Sequence, residues 1–164
     1  MSIERVRAYL AQRGLADRIL EFPVSSATVE LAAEAAGVAP ARIAKSLSFM
    51  LPDGPILVVC AGDARVDNPR FKAQFHAKAK MLGHDEVAAC TGHAVGGVCP
   101  FALKDGVRVY LDASMRRFDT VFPACGSANS AIELSLSELE SAAQGVQGWV
   151  DVCKGWRESQ ETSA

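Results

Sequence analysis

Nowhere in the sequence does an apolar run approach the ~18 residues that a membrane-spanning helix needs. The opening Met1-Ser2-Ile3-Glu4-Arg5 lacks the charged-then-apolar layout of a secretion signal. Both absences lead to the expectation of a cytoplasmic protein with no membrane partner. Closely paired cysteines are missing too. Cys60, Cys90, Cys99, Cys125 and Cys153 are odd in number and no two form a Cys-x-x-Cys pair, which argues against a disulfide framework or a zinc ribbon and for reduced thiols. The formal net charge is only −2, less basic than a protein that coats duplex DNA, so no DNA partner is expected. No Gly-x-Ser-x-Gly elbow and no His-Glu-x-x-His spacing occurs, and His76, His84 and His93 are scattered; each reads as a surface or structural residue. No metal and no cofactor is expected.

What is present is an ordinary globular balance, 49% hydrophobic and 22% charged residues over 164 positions. That length fits a single domain over 1–156, followed by a polar tail at 157–164. Apolar spacing predicts a helix over 3–13 stopped by Gly14, and a strand over 18–24. Thr28 caps an expected helix over 29–36 that Gly37 ends. Pro40 opens a short helical turn. The runs 46–51 and 55–61 flank Pro52-Asp53-Gly54 and read as a hairpin. Further helices are predicted from Asn68-Pro69 to His76 and over 85–91, with a short strand at Met81-Leu82 between them. Strands follow at 107–112, 119–124, 131–134 and 149–152, and the capping box Ser135-Leu136-Ser137-Glu138 starts a helix to about Gln144. Irregular alternation with a hairpin predicts an α+β fold, a large mixed β-sheet with helices packed around it.

Three segments stand out chemically. In Thr91-Gly92-His93-Ala94-Val95-Gly96-Gly97-Val98-Cys99-Pro100, two adjacent glycines interrupt an apolar stretch. Such a loop can turn successive N–H groups toward a carbonyl or an anion, and it can equally be a bulge at a sheet edge. Lys45 lies where a helical turn hands over to an apolar strand, so it either snorkels to water or holds a phosphate or polarised carbonyl. Ala124-Cys125-Gly126-Ser127-Ala128-Asn129-Ser130 is small and polar, fit to line a pocket or simply to turn. Asp112 ends a strand, as functional and capping carboxylates both do. Cys99 has no partner base legible in sequence, which disfavours a thiol nucleophile. Arg65, Arg70, Lys72, His76, Lys78 and Lys80 form a basic stretch able to grip a few phosphates, or a solvated face.

In order and spacing, Ile43-Ala44-Lys45-Ser46-Leu47, the hairpin at Pro52-Asp53-Gly54, Thr91-Gly92, Gly96-Gly97-Val98-Cys99-Pro100, Tyr110-Leu111-Asp112 and the Cys125-Gly126 loop leading to Glu133-Leu134 resemble the YbaK/ProX family over about residues 3–153. These are free-standing relatives of the editing domain of bacterial prolyl-tRNA synthetase. The resemblance implies hydrolysis of the ester joining a wrongly attached small amino acid to the terminal adenosine of tRNA. It implies catalytic roles for Lys45, Gly96, Gly97 and Val98, and substrate contacts from Cys99, Pro100, Asp112, Gly126, Ser127 and Asn129. The implied partners are the acceptor end of mischarged tRNA and, as a candidate, prolyl-tRNA synthetase.

The branch that clears cysteine carries an acidic residue where this chain has Asn129-Ser130-Ala131-Ile132, and the Ser127/Asn129 loop is closer to ProX-like branches. An apolar pocket separates homologues by only ~1–3 kcal/mol per methylene, so alanine, serine, threonine, cysteine and 2-aminobutyrate all stay open. Two other readings stay open beside this one: a non-catalytic nucleic-acid-binding module, and a protein that captures a small ligand.

Overall fold

The structure, a computed structural model, describes residues 2–157. Of the tail expected at 157–164, all but Arg157 lies outside the described residues. The α-helices are α1 (Ser2–Ala11), α2 (Val29–Ala36), α3 (Asn68–Phe75), α4 (His84–Thr91) and α5 (Leu136–Ala142). The strands are β1 (Ile19–Glu21), β2 (Ile43–Leu51), β3 (Gly54–Ala61), β4 (Arg65–Val66), β5 (Arg108–Asp112), β6 (Thr120–Pro123), β7 (Ser130–Ile132), β8 (Leu134–Ser135), β9 (Val146–Val150) and β10 (Cys153–Lys154). Six of them form one mixed sheet in the order β8-β6-β2-β3-β5-β9, while β1 pairs with β7 and β4 with β10. This is the α+β architecture the sequence predicts. No helix among the described residues is long and apolar enough to cross a membrane.

Strand β3 is the axis of the core. Ile56 through Ala61 are completely buried, which is why this segment is continuously apolar instead of alternating. It runs antiparallel to β2 through the Pro52-Asp53-Gly54 turn and parallel to β5 on its other side. Helix α2 begins where expected because the Thr28 hydroxyl accepts a hydrogen bond from Leu31 N at 3.2 Å. The box at α5 is also formed, with Ser135 Oγ accepting from Glu138 N and Glu138 Oε1 accepting from Ser135 N.

Some expectations shift. The cap of α3 is Asp67, accepting from Arg70 N at 3.3 Å, so Asn68 is already the first helical residue. The strand expected over 18–24 is shorter, Ile19–Glu21, although Phe22 N still donates to Asn129 O at 2.8 Å in register with it. Met81 makes a single bridge to Phe49 in place of a strand.

At the end of β5, Asp112 ties three parts of the chain together. One carboxylate oxygen accepts from Ser114 N and the other from Val152 N, both at 2.9 Å, and Ser114 Oγ accepts from Ala61 N at 3.0 Å. Asp112 and Ser114 are both completely buried. Asp112→Ala would strand two buried N–H donors. It is expected to cost about 3 kcal/mol of folding stability, measurable by urea denaturation.

Candidate functional site

The cleft begins at a fault in the sheet. On its outer side β2 pairs with β6 only at Ile43 and Ala44. Farther along, the segment 80–82 takes over that edge, with Met50 N donating to Lys80 O at 2.9 Å and Leu82 N to Ser48 O at 3.1 Å. Between the two, residues 45–47 have no strand neighbour on that side among the described residues. A cleft of about 390 Å³ opens there, bordered by residues 26–29 before and at the start of α2, by β2, by Met81, Leu82 and His84, by Val95, Gly96 and Val98, and by Phe122, Ala124, Ser130 and Ala131. That volume lies within the range of small-molecule sites.

Lys45 is half-buried on this cleft. Its ammonium donates to Gly62 O at 3.3 Å and to Ala64 O. Two of its three N–H bonds are thereby directed at the loop after β3, and the third has no partner among the described residues. No carboxylate among the described residues borders the cleft. The charge of Lys45 is therefore not neutralised from within the site, which suits a phosphate or a developing oxyanion.

The glycine loop reaches the same cleft from another direction. Gly96 has φ +95°, a conformation that side chains other than glycine rarely adopt, and it packs against Ala27 and Ala128. Gly97 faces away. Its N–H donates to Ala94 O at 3.0 Å, and a Cβ placed on it would fall 2.7 Å from Gly126 C. The two glycine-bearing loops lie back to back, so Gly97 is required by packing and not as a donor to the cleft. The amides of Gly96 and Val98 have no acceptor among the described residues.

The remaining sequence-derived candidates are not brought to the cleft. Cys99 and Pro100 are buried beneath the loop, and Asp112 is consumed by the backbone donors described above. Gly126 packs against α1, where a Cβ would fall 2.9 Å from Ser2 Oγ and from Val6 Cγ2. Ser127 Oγ donates to Asn129 Oδ1 at 3.0 Å and lies 2.7 Å from Ser130 Oγ, while Asn129 Nδ2 donates to Phe22 O at 3.1 Å. None of these residues lines the cleft, and their contacts above are within the chain.

Cys99 does have a histidine neighbour that sequence alone did not reveal. His93 Nε2 lies 3.6 Å from the thiol. That nitrogen donates to Phe101 O at 2.7 Å, while Nδ1 faces the Ser2 hydroxyl, so the nitrogen beside the sulfur already carries the proton. Burial lowers the pKa of His93 and pushes the Cys99 thiol up to about 12. Both groups are held neutral, the opposite of an activated dyad.

Sequence reasoning also missed cleft residues. His84 borders the cleft at the start of α4, and Ser26, Val29, Leu47, Met81 and Phe122 complete its walls. Ser26 and Ser46 also line the cleft, while their hydroxyls are buried and have no hydrogen-bond partner among the described residues. Isolated serines in polar or alternating stretches carry no signal of that kind.

Comparison with known proteins agrees with this geometry. The chain is 52% identical over 157 residues, 95% of its length and 99% of the relative's, to the uncharacterized protein YwhH of Bacillus subtilis. It is 28% identical over 120 residues, 72% of its length and 73% of the relative's, to EbsC of Enterococcus faecalis, provisionally named a Cys-tRNA(Pro)/Cys-tRNA(Cys) deacylase. A solved structure provisionally described as a trans-editing enzyme for prolyl tRNA synthetase superposes with a TM-score of 0.84 at 29% identity, covering 94% of this chain and 98% of that one. Residues 24–142 match the aminoacyl-tRNA editing domain, and the chain belongs to that family.

Proposed function

We propose that the protein is a trans-acting deacylase that hydrolyses the ester between a small, wrongly attached amino acid and the terminal ribose of tRNA. The observation that carries this reading is that Lys45, Gly96 and Val98 border one small cleft although about fifty positions separate the lysine from the loop. An aminoacyl ester is already activated, so positioning and polarisation matter more than a strong nucleophile.

In this reading the free amides of Gly96 and Val98 hold the ester carbonyl oxygen as it gains negative charge. Each such donor is typically worth about 3 kcal/mol, a hundredfold or more in rate. Lys45 holds the terminal phosphate or ribose. Water adds to the carbonyl carbon, the bond to the ribose oxygen breaks, and that oxygen takes up a proton. The products are the free amino acid and a tRNA with its terminal hydroxyl restored. The largely apolar walls, with Ala32, Ile43, Leu47 and Phe122, suit a small side chain.

The basic stretch supports a tRNA partner. Lys72, Lys78 and Lys80 are exposed, and Lys80 directly precedes Met81 on the cleft border. Arg70 is already engaged by Asp67 and Asp151. Prolyl-tRNA synthetase is the candidate that would deliver the tRNA.

Lys45→Ala is expected to slow single-turnover deacylation of the best substrate in a panel of mischarged proline and alanine tRNAs by at least about a hundredfold. Unchanged turnover would remove the proposed role. Cys99→Ala is expected to keep the rate within a few-fold of wild type in the same assay, because a thiol held near pKa 12 supplies no thiolate at neutral pH. Replacing Lys78 and Lys80 together by Glu is expected to weaken tRNA binding and to flatten the slope of log K against log salt by about one to two, as read from binding titrations over a range of salt.

A further inference from the structure

Along an extended strand the N–H and C=O of one residue point to one edge and those of the next residue to the other, so one bonded residue fixes the direction of the rest. On β2, Ser48 O accepts from Leu82 N at 3.1 Å and Met50 N donates to Lys80 O at 2.9 Å, both on the edge away from β3. Ser46, two positions back, therefore turns its own N–H and C=O to that same edge. Neither group has a partner among the described residues, because pairing with β6 ends at Ala44 and the segment 80–82 reaches back only to Ser48. Ser46 is only half-buried although its hydroxyl is fully buried, so the surface it presents belongs to its main chain and Cβ. That residue borders the cleft. The fault in the sheet thus leaves one peptide edge, a donor and an acceptor of fixed direction, on the cleft wall.

The length of the gap identifies its occupant. It is closed at Ala44 by β6 and at Ser48 by Leu82. An added strand at ~3.4 Å per residue could pair there through about one residue, too little for a peptide to bind by edge pairing. An α-aminoacyl group is the size of one residue and carries the same N–Cα–C=O frame, with its amine where a strand has its N–H. The amine lies one atom from the acyl carbon, so its acceptor must stand in the same cleft as the amides of Gly96 and Val98, as Ser46 does. The base of the terminal nucleoside is farther off, beyond the ribose. Lys45 does not compete for the Ser46 carbonyl, since its ammonium is drawn to Gly62 O and Ala64 O. Resting on the deacylase reading above, we infer that the aminoacyl group binds as a single added residue on the free edge of β2, its α-amine donating to Ser46 O, and that this contact selects aminoacyl over other acyl esters.

The test titrates the wild-type protein with three stable probes: the 3′-amide analogue of alanyl-adenosine 5′-monophosphate, its propionyl counterpart without the amine, and adenosine 5′-monophosphate alone. Backbone NMR follows the carbonyl carbon of Ser46. The alanyl probe is expected to bind about tenfold to a hundredfold more tightly than the propionyl probe, the size of a hydrogen bond from a charged donor. The Ser46 carbonyl signal is expected to move downfield with the alanyl probe and to stay nearly still with the other two. Ser46→Pro gives a second reading. Proline is tolerated where the missing N–H faced an unpaired edge, and its ring would stand in the gap beside the carbonyl. In that variant the alanyl and propionyl affinities are expected to fall within about twofold of each other. Should it fail to fold, the wild-type titration decides. Equal affinities of the wild-type protein for the two acyl probes, a Ser46 carbonyl unmoved at saturation, or an equal shift with adenosine 5′-monophosphate would each overturn the assignment while leaving the deacylase reading intact. Release of no ester from the panel of mischarged tRNAs by the wild-type protein would remove both.

Discussion

Strand β2 changes neighbours partway along its length, and the site exists because of that change. Its first two residues lie against β6, its far half against the segment 80–82, and neither neighbour covers the stretch between. Unpaired strand edges are usually shielded, since they offer ready backbone partners to other chains. Here the gap is enclosed by the loop that enters α2 and by the glycine loop after α4, so it becomes a cleft and not an open edge. Lys45 occupies the gap because it follows directly on the last residue paired with β6.

The way polar groups are satisfied separates scaffold from site. Buried Asp112 and His93 are saturated by hydrogen bonds from within the chain. Arg42 and Thr120 meet Glu133 where β6, β7 and β8 converge, fixing the far end of the sheet. By contrast the third N–H of Lys45 and the amides of Gly96 and Val98 have no partner among the described residues, and these three residues border the cleft. Unspent hydrogen-bonding capacity on a cleft wall is what preorganised recognition of a polar ligand requires.

Much of the fold was legible because local chemistry and tertiary structure agree. The Pro52-Asp53-Gly54 turn, the Thr28 cap and the Ser135–Glu138 box each act within a few residues of themselves, and each forms. The β4–β10 pair was not legible, since two-residue strands have no periodicity to read. The site was legible only in part. Lys45 and Gly96 are conspicuous in sequence and meet on the cleft, but Gly97 looks the same as Gly96 until its contact with Gly126 is known. Asp112 and Asn129 have the side chains of binding residues but bond to backbone groups that include Val152 N and Phe22 O, distant in sequence, and Ser127 bonds to its neighbours Asn129 and Ser130.

The central claim is that the Lys45 ammonium and the Gly96 and Val98 amides act on the same bound group. Titration with a non-hydrolysable 3′-amide analogue of alanyl-adenosine 5′-monophosphate, followed by NMR of the Lys45 side chain and the backbone amides, tests it most directly. The account predicts that the signals of Lys45, Gly96 and Val98 move together along one saturable curve. Saturation that shifts the lysine without the loop, the loop without the lysine, or neither would contradict it.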